Sequence, residues 1–141
     1  MNIRPMVQKD YEKIAEVIVN ELGYHELKCE DVYKRLDIIE KSDSHKTLVA
    51  CIDDNVVGFI GLCKTFTYET DEQITILTFV VSEQYQRQGI GKALLAAAKN
   101  YAEENNAKII RVGCAFRRTE AHLFYEANGF ERVGITFYMN L

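Results

Sequence analysis

The sequence contains no tryptophan, one proline (Pro5), three histidines and no pair of cysteines spaced C-x-x-C. Each scarcity excludes something. His25 and His45 have no spaced partners, so no metal site is expected. Cys29, Cys51, Cys63 and Cys114 lie far apart, mostly within apolar runs, and read as reduced core thiols with none placed as a nucleophile. No apolar run reaches the about 18 residues that would suggest a membrane span. The N-terminus MNIRPMVQKDYEKI is broken by charges and Pro5, so a signal peptide is not expected either, and the expected location is cytoplasmic. Basic residues are not in excess: 17 Lys and Arg stand against 21 Asp and Glu, for a net charge of -4. They are also scattered, so the footprint of a nucleic-acid binder is missing. An acidic balance suits a cationic small molecule better.

With 141 residues and 48% of them hydrophobic, the chain is long enough to bury a core and shows no repeat or Gly/Pro/Ser-rich linker, which predicts one domain over residues 1–141. A short strand from Asn2 to Arg4 precedes a helix from about Asp10 to Leu22, where Tyr11, Ile14, Ala15, Ile18 and Leu22 recur at helical spacing. A second helix carries Val32, Leu36 and Ile39 on one face. Thr47 to Ile52, Val56 to Phe66 and Ile74 to Val81 read as an antiparallel meander, its first turn being Asp53-Asp54-Asn55. A helix from Gly89 to about Asn105, a strand from Ile109 to Phe116 and a helix from Thr119 to Asn128 follow. The tail from Ile135 to Leu141 alternates apolar and polar residues as a strand does, and one face is apolar enough to pair across a homodimer. The predicted class is α/β (α+β), a mixed sheet with helices on both faces.

Between the third meander strand and the next helix stands Gln86-Arg87-Gln88-Gly89-Ile90-Gly91-Lys92. A P-loop is excluded, because Gln86 and Ala93 occupy its first glycine and its Ser/Thr position. The dinucleotide fingerprint fails at Leu94 and lacks a preceding first strand of a parallel unit. What remains is Gln86-x-x-Gly89-x-Gly91 opening a helix, where glycines let backbone N–H groups approach a pyrophosphate. The same glycines also suit a plain tight turn.

Gln86-x-x-Gly89-x-Gly91 with Lys92-Ala93-Leu94-Leu95, followed later by Ala121-His122-x-Phe124-Tyr125-x-x-x-Gly129-Phe130 and preceded by Ile3-Arg4-Pro5 with Asp10, resembles the GNAT superfamily of N-acetyltransferases over essentially the whole chain. The resemblance implies the acyl-CoA N-acyltransferase fold with a mostly antiparallel central sheet. It implies acetyl-CoA as cosubstrate, its pyrophosphate on the amides of Arg87, Gln88, Gly89, Ile90, Gly91 and Lys92, with Gln86 in the same motif. It also implies that the pantetheine arm runs along the backbone of Phe79, Val80 and Val81, where this strand splays from the next. Tyr125 takes the position of the phenol that faces the CoA sulfur, although packing its helix would also explain it. Where many members have Asn, this chain has Arg118, a cation for the CoA phosphates or for an anionic substrate group, or merely an exposed helix start.

The segment around His122 resembles members acting on small amines, such as aminoalkylphosphonate and aminoglycoside acetyltransferases. The expected acceptor is therefore a primary amine of a small molecule, with a protein amine as the alternative. Tyr24, His25 and Glu26, in the connection where this fold usually covers the acceptor, and Glu69, in the acidic turn before the third meander strand, are further substrate candidates alongside His122. A carboxylate base on that strand is absent, since the positions read Leu77, Thr78 and Phe79. A non-catalytic acyl-CoA-binding regulatory module is the reading from a different class. Turnover separates it from an enzyme.

Overall fold

Alternation of Val, Ile, Leu and Phe through the first two thirds of the chain builds the sheet that a computed structural model describes over residues 1–141. The elements are β1 (Asn2–Pro5), α1 (Tyr11–Glu21), α2 (Cys29–Lys41), β2 (His45–Ile52), β3 (Asn55–Thr65), β4 (Gln73–Val81), α3 (Ile90–Glu104), β5 (Ile109–Val112) and α4 (Thr119–Ala127). Short 3-10 turns stand at Gln8–Asp10 and Glu83–Tyr85. The sheet is five-stranded and mixed, in the order β1-β2-β3-β4-β5, with β1 to β4 antiparallel throughout. The β2–β3 hairpin turns on Asp53 and Asp54, both in the left-handed region at φ 50° and 65°, the conformation a two-residue turn needs and aspartate tolerates.

The chain divides into two compact units, Met1–Arg111 and Val112–Leu141. In the first, one face of the sheet contributes Val49, Cys51, Val56, Phe59 and Val80 to a core closed by Ile14, Ala15 and Val17 of α1 and Val32 and Leu36 of α2. The opposite face carries Leu48, Ala50, Ile60, Leu62 and Ile76, against which α3 buries Leu94, Leu95 and Ala98. Two register irregularities make this two-sided core possible. A shift between Ala50 and Cys51 leaves Val57 as an extra residue, so that Val56 and Phe59 share a face despite their odd spacing. A second shift, opposite Gly61 and Leu62, leaves Leu77 unpaired in β4 and turned out to solvent. Gly58 fits its place because a Cβ there would lie 2.8 Å from the Val80 carbonyl oxygen.

Arg4 and Asp10 tie the start of the chain together. The guanidinium donates two bonds to the carboxylate, at 2.7 and 2.9 Å, and the Val7 N–H donates a third at 2.8 Å. Burial works to raise the pKa of Asp10, but the Arg4 pair and the Val7 amide hold the carboxyl below its ordinary value. The buried Tyr11 hydroxyl meets the carboxylate of Glu40 on α2, with Asp37 also in reach, which cross-links the two helices.

The second unit departs from two expectations. The strand expected from Ile109 to Phe116 stops at Val112, and Cys114, expected as a buried strand thiol, stands half-buried in the loop beyond it. The cause is local: the Ala115 carbonyl accepts from the Arg118 N–H at 3.0 Å and from His122 Nε2 at 2.8 Å, folding residues 115–118 into a turn that leads into α4. The tail forms no strand. From Glu131 onward every residue is exposed, because a period-two pattern becomes a strand only where a neighbour supplies the other half of its hydrogen bonds. Of the four cysteines only Cys51 is fully buried, and all four are free.

Candidate functional site

The end of β4, the turn after it and the first residues of α3 form a continuous device within the first unit. The Val81 carbonyl accepts a bond from Gln86 Nε2 at 2.9 Å, so the side chain clasps the end of the strand to the turn. Ser82 is held by its N–H on the Val57 carbonyl at 2.8 Å, and the Glu83–Tyr85 turn closes on the Ser82 and Glu83 carbonyls. Arg87 then adopts φ 64° and Gly89 φ 84°, two left-handed residues that turn the backbone into α3. A Cβ on Gly89 would have no atom within 4 Å, so the space above the turn is open.

The first intrahelical bond of α3 runs from the Ala93 N–H to the Gly89 carbonyl at 3.0 Å. The N–H groups before it have no helical acceptor and lie at the positive end of the helix dipole. Arg87 and Lys92 add two exposed cations, and residues 86–92 contain no carboxylate. Such a turn presents free backbone N–H groups and positive charge on one open side, the features that suit an anion. Val80 is buried in the α1–α2 core, so only its backbone is available to a ligand, while Phe79 and Val81 are half-buried on the other face.

Beside this turn, Lys13, Glu16, Asn20 and Glu21 of α1 face Ser82, Glu83 and Gln84 across an open cavity of about 470 Å³. Three carboxylates against one lysine make its lining negative. Sequence reasoning missed these residues: on α1 they read as an ordinary solvated face, and only packing of α1 across β4 brings them to the turn. Tyr24, His25 and Glu26 are exposed in the connection just beyond Glu21. Glu69 is not brought to this region. It precedes β4 while the turn follows it, and the nine residues of the strand separate the two ends by roughly 25 Å.

In the second unit, α4 ends in a Schellman motif that fixes Tyr125. Gly129 takes φ 92°, its N–H bonds the Glu126 carbonyl at 3.2 Å, and the Phe130 N–H bonds the Tyr125 carbonyl at 3.0 Å. The Tyr125 ring packs edge-to-face on Phe130 and on Phe124, at 5.4 and 5.7 Å between centroids. Burial pushes the Tyr125 phenol up to about 12, with a further push from the Cys114 side chain against an opposing pull from Arg118. It is a phenol that keeps its proton. His122 donates from Nε2 to the Ala115 carbonyl at 2.8 Å, and Arg118 is exposed at the start of α4.

A mixed five-stranded sheet with helices on both faces and an open left-handed turn between β4 and α3 defines an acyl-CoA N-acyltransferase fold. The model of the acetyltransferase (GNAT) family matches residues 6–130, and the chain belongs to that family. It is an N-acetyltransferase. An uncharacterized N-acetyltransferase of Bacillus subtilis, YhfO, is 28% identical over 135 residues, spanning 93% of this chain and 90% of its own length. A GNAT family acetyltransferase of Staphylococcus aureus superposes with TM-score 0.81 at 27% identity, over 99% of this chain and 98% of that one. The aminoglycoside N-acetyltransferase AAC(6')-Iy, solved with CoA, superposes with TM-score 0.86 at 16% identity, over 99% of this chain and 93% of that one, a likeness of fold.

Proposed function

We propose that the protein transfers the acetyl group of acetyl-CoA directly to a primary amine of a small molecule. The observation that carries this reading is the negatively lined cavity of about 470 Å³ beside the anion-binding turn. Its volume suits a small ligand. Its charge attracts a cationic amine to the end of β4, next to where the turn takes the pyrophosphate. AAC(6')-Iy carries out aminoglycoside acetylation on the same fold.

The reaction needs a neutral amine nitrogen, which attacks the thioester carbonyl carbon; the C–S bond then breaks, the nitrogen loses a proton to water, and the CoA thiolate is stabilised or protonated. The turn amides of Arg87 to Lys92 bind the pyrophosphate, and Arg118 adds a cation for the same cosubstrate. The backbone of Phe79 to Val81 offers hydrogen bonds to the pantetheine, and a backbone N–H near Val81 serves the thioester carbonyl. Tyr125 donates a hydrogen bond to the sulfur. A phenol at about 12 holds its proton more than three powers of ten more tightly than an ordinary thiol near 8.5, so it stabilises the thiolate without handing over the proton. Glu16, Glu21 and Glu83 draw in the ammonium form and give its proton a route to water, and Tyr24, His25 and Glu26, exposed in the connection that follows Glu21, are further groups for the acceptor.

The test is release of free CoA from acetyl-CoA with polyamines, aminoglycosides, aminophosphonates and peptide N-termini. Turnover on small amines, weakened mainly in KM for the amine by Glu21→Gln with Glu83→Gln, is the expected result. Turnover confined to peptide amines, or a double variant with unchanged KM, overturns the reading.

A further inference from the structure

Ser82 follows the last residue of β4 and is 9% exposed, yet its hydroxyl caps no helix and has no hydrogen-bond partner. A buried hydroxyl of this kind gives up its water and gains nothing in return, so its place in the fold needs a cause. Alternation along the strand turns Ser82 to the same face as Val80, two residues before it, which is the face that α1 covers. There it lines the cavity of about 470 Å³ together with Glu16, Asn20 and Glu83. Gln73 Oε1 is the one side-chain polar atom that is both sealed off and unpartnered, so the Ser82 oxygen is open to the cavity. The backbone holds it there. The Ser82 N–H donates to the Val57 carbonyl at 2.8 Å, and the Ser82 carbonyl accepts from the Tyr85 N–H at 2.8 Å.

We propose that Ser82 receives the attacking amine, its Oγ accepting a hydrogen bond from the amine N–H and so aiming the nitrogen lone pair. This role rests on transfer to a small amine in the cavity, and it adds a group that acts on the rate of reaction rather than on capture of the acceptor. The acceptor enters as an ammonium and gives one proton to water. The neutral nitrogen then bonds to the thioester carbonyl carbon and the C–S bond breaks. Of the two protons left on nitrogen, one goes to solvent, from which the thiolate takes one up, and the other stays on the amide. Between attack and proton loss the nitrogen is positively charged, so its N–H donates a stronger bond to Oγ than the free amine does. A bond that strengthens toward the transition state raises kcat, whereas the carboxylates, which attract the free ammonium, act on KM. A serine hydroxyl suits the task because it accepts the bond without itself taking the proton.

Steady-state kinetics with a polyamine, an aminoglycoside and an aminophosphonate as acceptors, together with melting temperatures, test this on Ser82→Ala and Ser82→Thr. Ser82→Ala should lower kcat about tenfold, with KM for the amine within about threefold and KM for acetyl-CoA within about twofold. Its melting temperature should match the wild type, because the lost hydroxyl bonds nothing in the folded chain. Ser82→Thr keeps the oxygen on extended backbone that suits threonine, and should stay within about threefold of the wild-type kcat. Wild-type kinetics in Ser82→Ala, a fall in its melting temperature that accounts for the lost activity, or a Ser82→Thr variant as slow as Ser82→Ala each overturns the role of Ser82 and leaves transfer to a small amine standing. A wild-type protein that releases CoA with none of these amines overturns both.

Discussion

Tyr125 is held by its own helix cap: the Phe130 N–H reaches back to its carbonyl, and the Phe130 ring packs against its ring. Removing only the hydroxyl leaves that packing in place. Tyr125→Phe is therefore expected to lower kcat about 10- to 100-fold, with KM for acetyl-CoA within about twofold, because a hydrogen bond to the leaving sulfur matters chiefly in the transition state. Steady-state kinetics with free-thiol detection reads this split. The same phenol gives an alkaline signature. Its folded value of about 12 lies above the ordinary value of 10.0, so its contribution to stability is complete below pH 10 and is lost as pH rises toward 12. Melting temperature against pH should fall less steeply in that window for Tyr125→Phe than for wild type. Asp10 has the opposite sign. Its lowered pKa means that stability is present above the usual carboxylate range and lost as pH falls below it. Asp10→Asn leaves the Arg4 guanidinium without its charge partner, and chemical denaturation should show a loss of about 2–3 kcal/mol near neutrality and a flatter acid limb.

At the scale of elements, the decisive unit is β4, the turn and α3. Gly89 sits at φ 84° with open space where a side chain would be, so Gly89→Ala costs about 1 kcal/mol of backbone strain and places a methyl group on the proposed approach of the pyrophosphate. KM for acetyl-CoA should rise tenfold or more while the melting temperature falls by only a few degrees. A KM unchanged by this substitution would reduce the glycine to a hinge for the chain. The turn was legible in the sequence because glycine spacing between an apolar run and a helical run is a local signal. Gln86 was legible only as part of a motif. That its amide clasps the Val81 carbonyl depends on a bend of the backbone that no spacing reports.

For the whole molecule, a ligand that binds the folded state alone raises stability by mass action. Acetyl-CoA at about a hundred times its Kd adds about 2.7 kcal/mol, or about 10 °C of melting temperature for a domain of this size. ATP and NAD should shift it little, because neither phosphate fingerprint is complete in the sequence. A thermal-shift assay with all three compounds distinguishes the outcomes.

The order of strands and helices from β1 to α4, the turns between them and the family were determined by the sequence itself, because periodicity, glycine placement and short motifs are local properties that each stretch carries unaided. Three things were decided only by tertiary structure. The acidic cavity exists because α1 packs across β4 and carries Glu16 and Glu21 to Ser82 and Glu83. The two-sided core exists because extra residues at Val57 and Leu77 reset the alternation of β3 and β4. The tail from Ile135 to Leu141 has the pattern of a strand and is not one, since a strand is completed by hydrogen bonds to the edge beside it, and an edge is a property of the fold and not of the stretch itself.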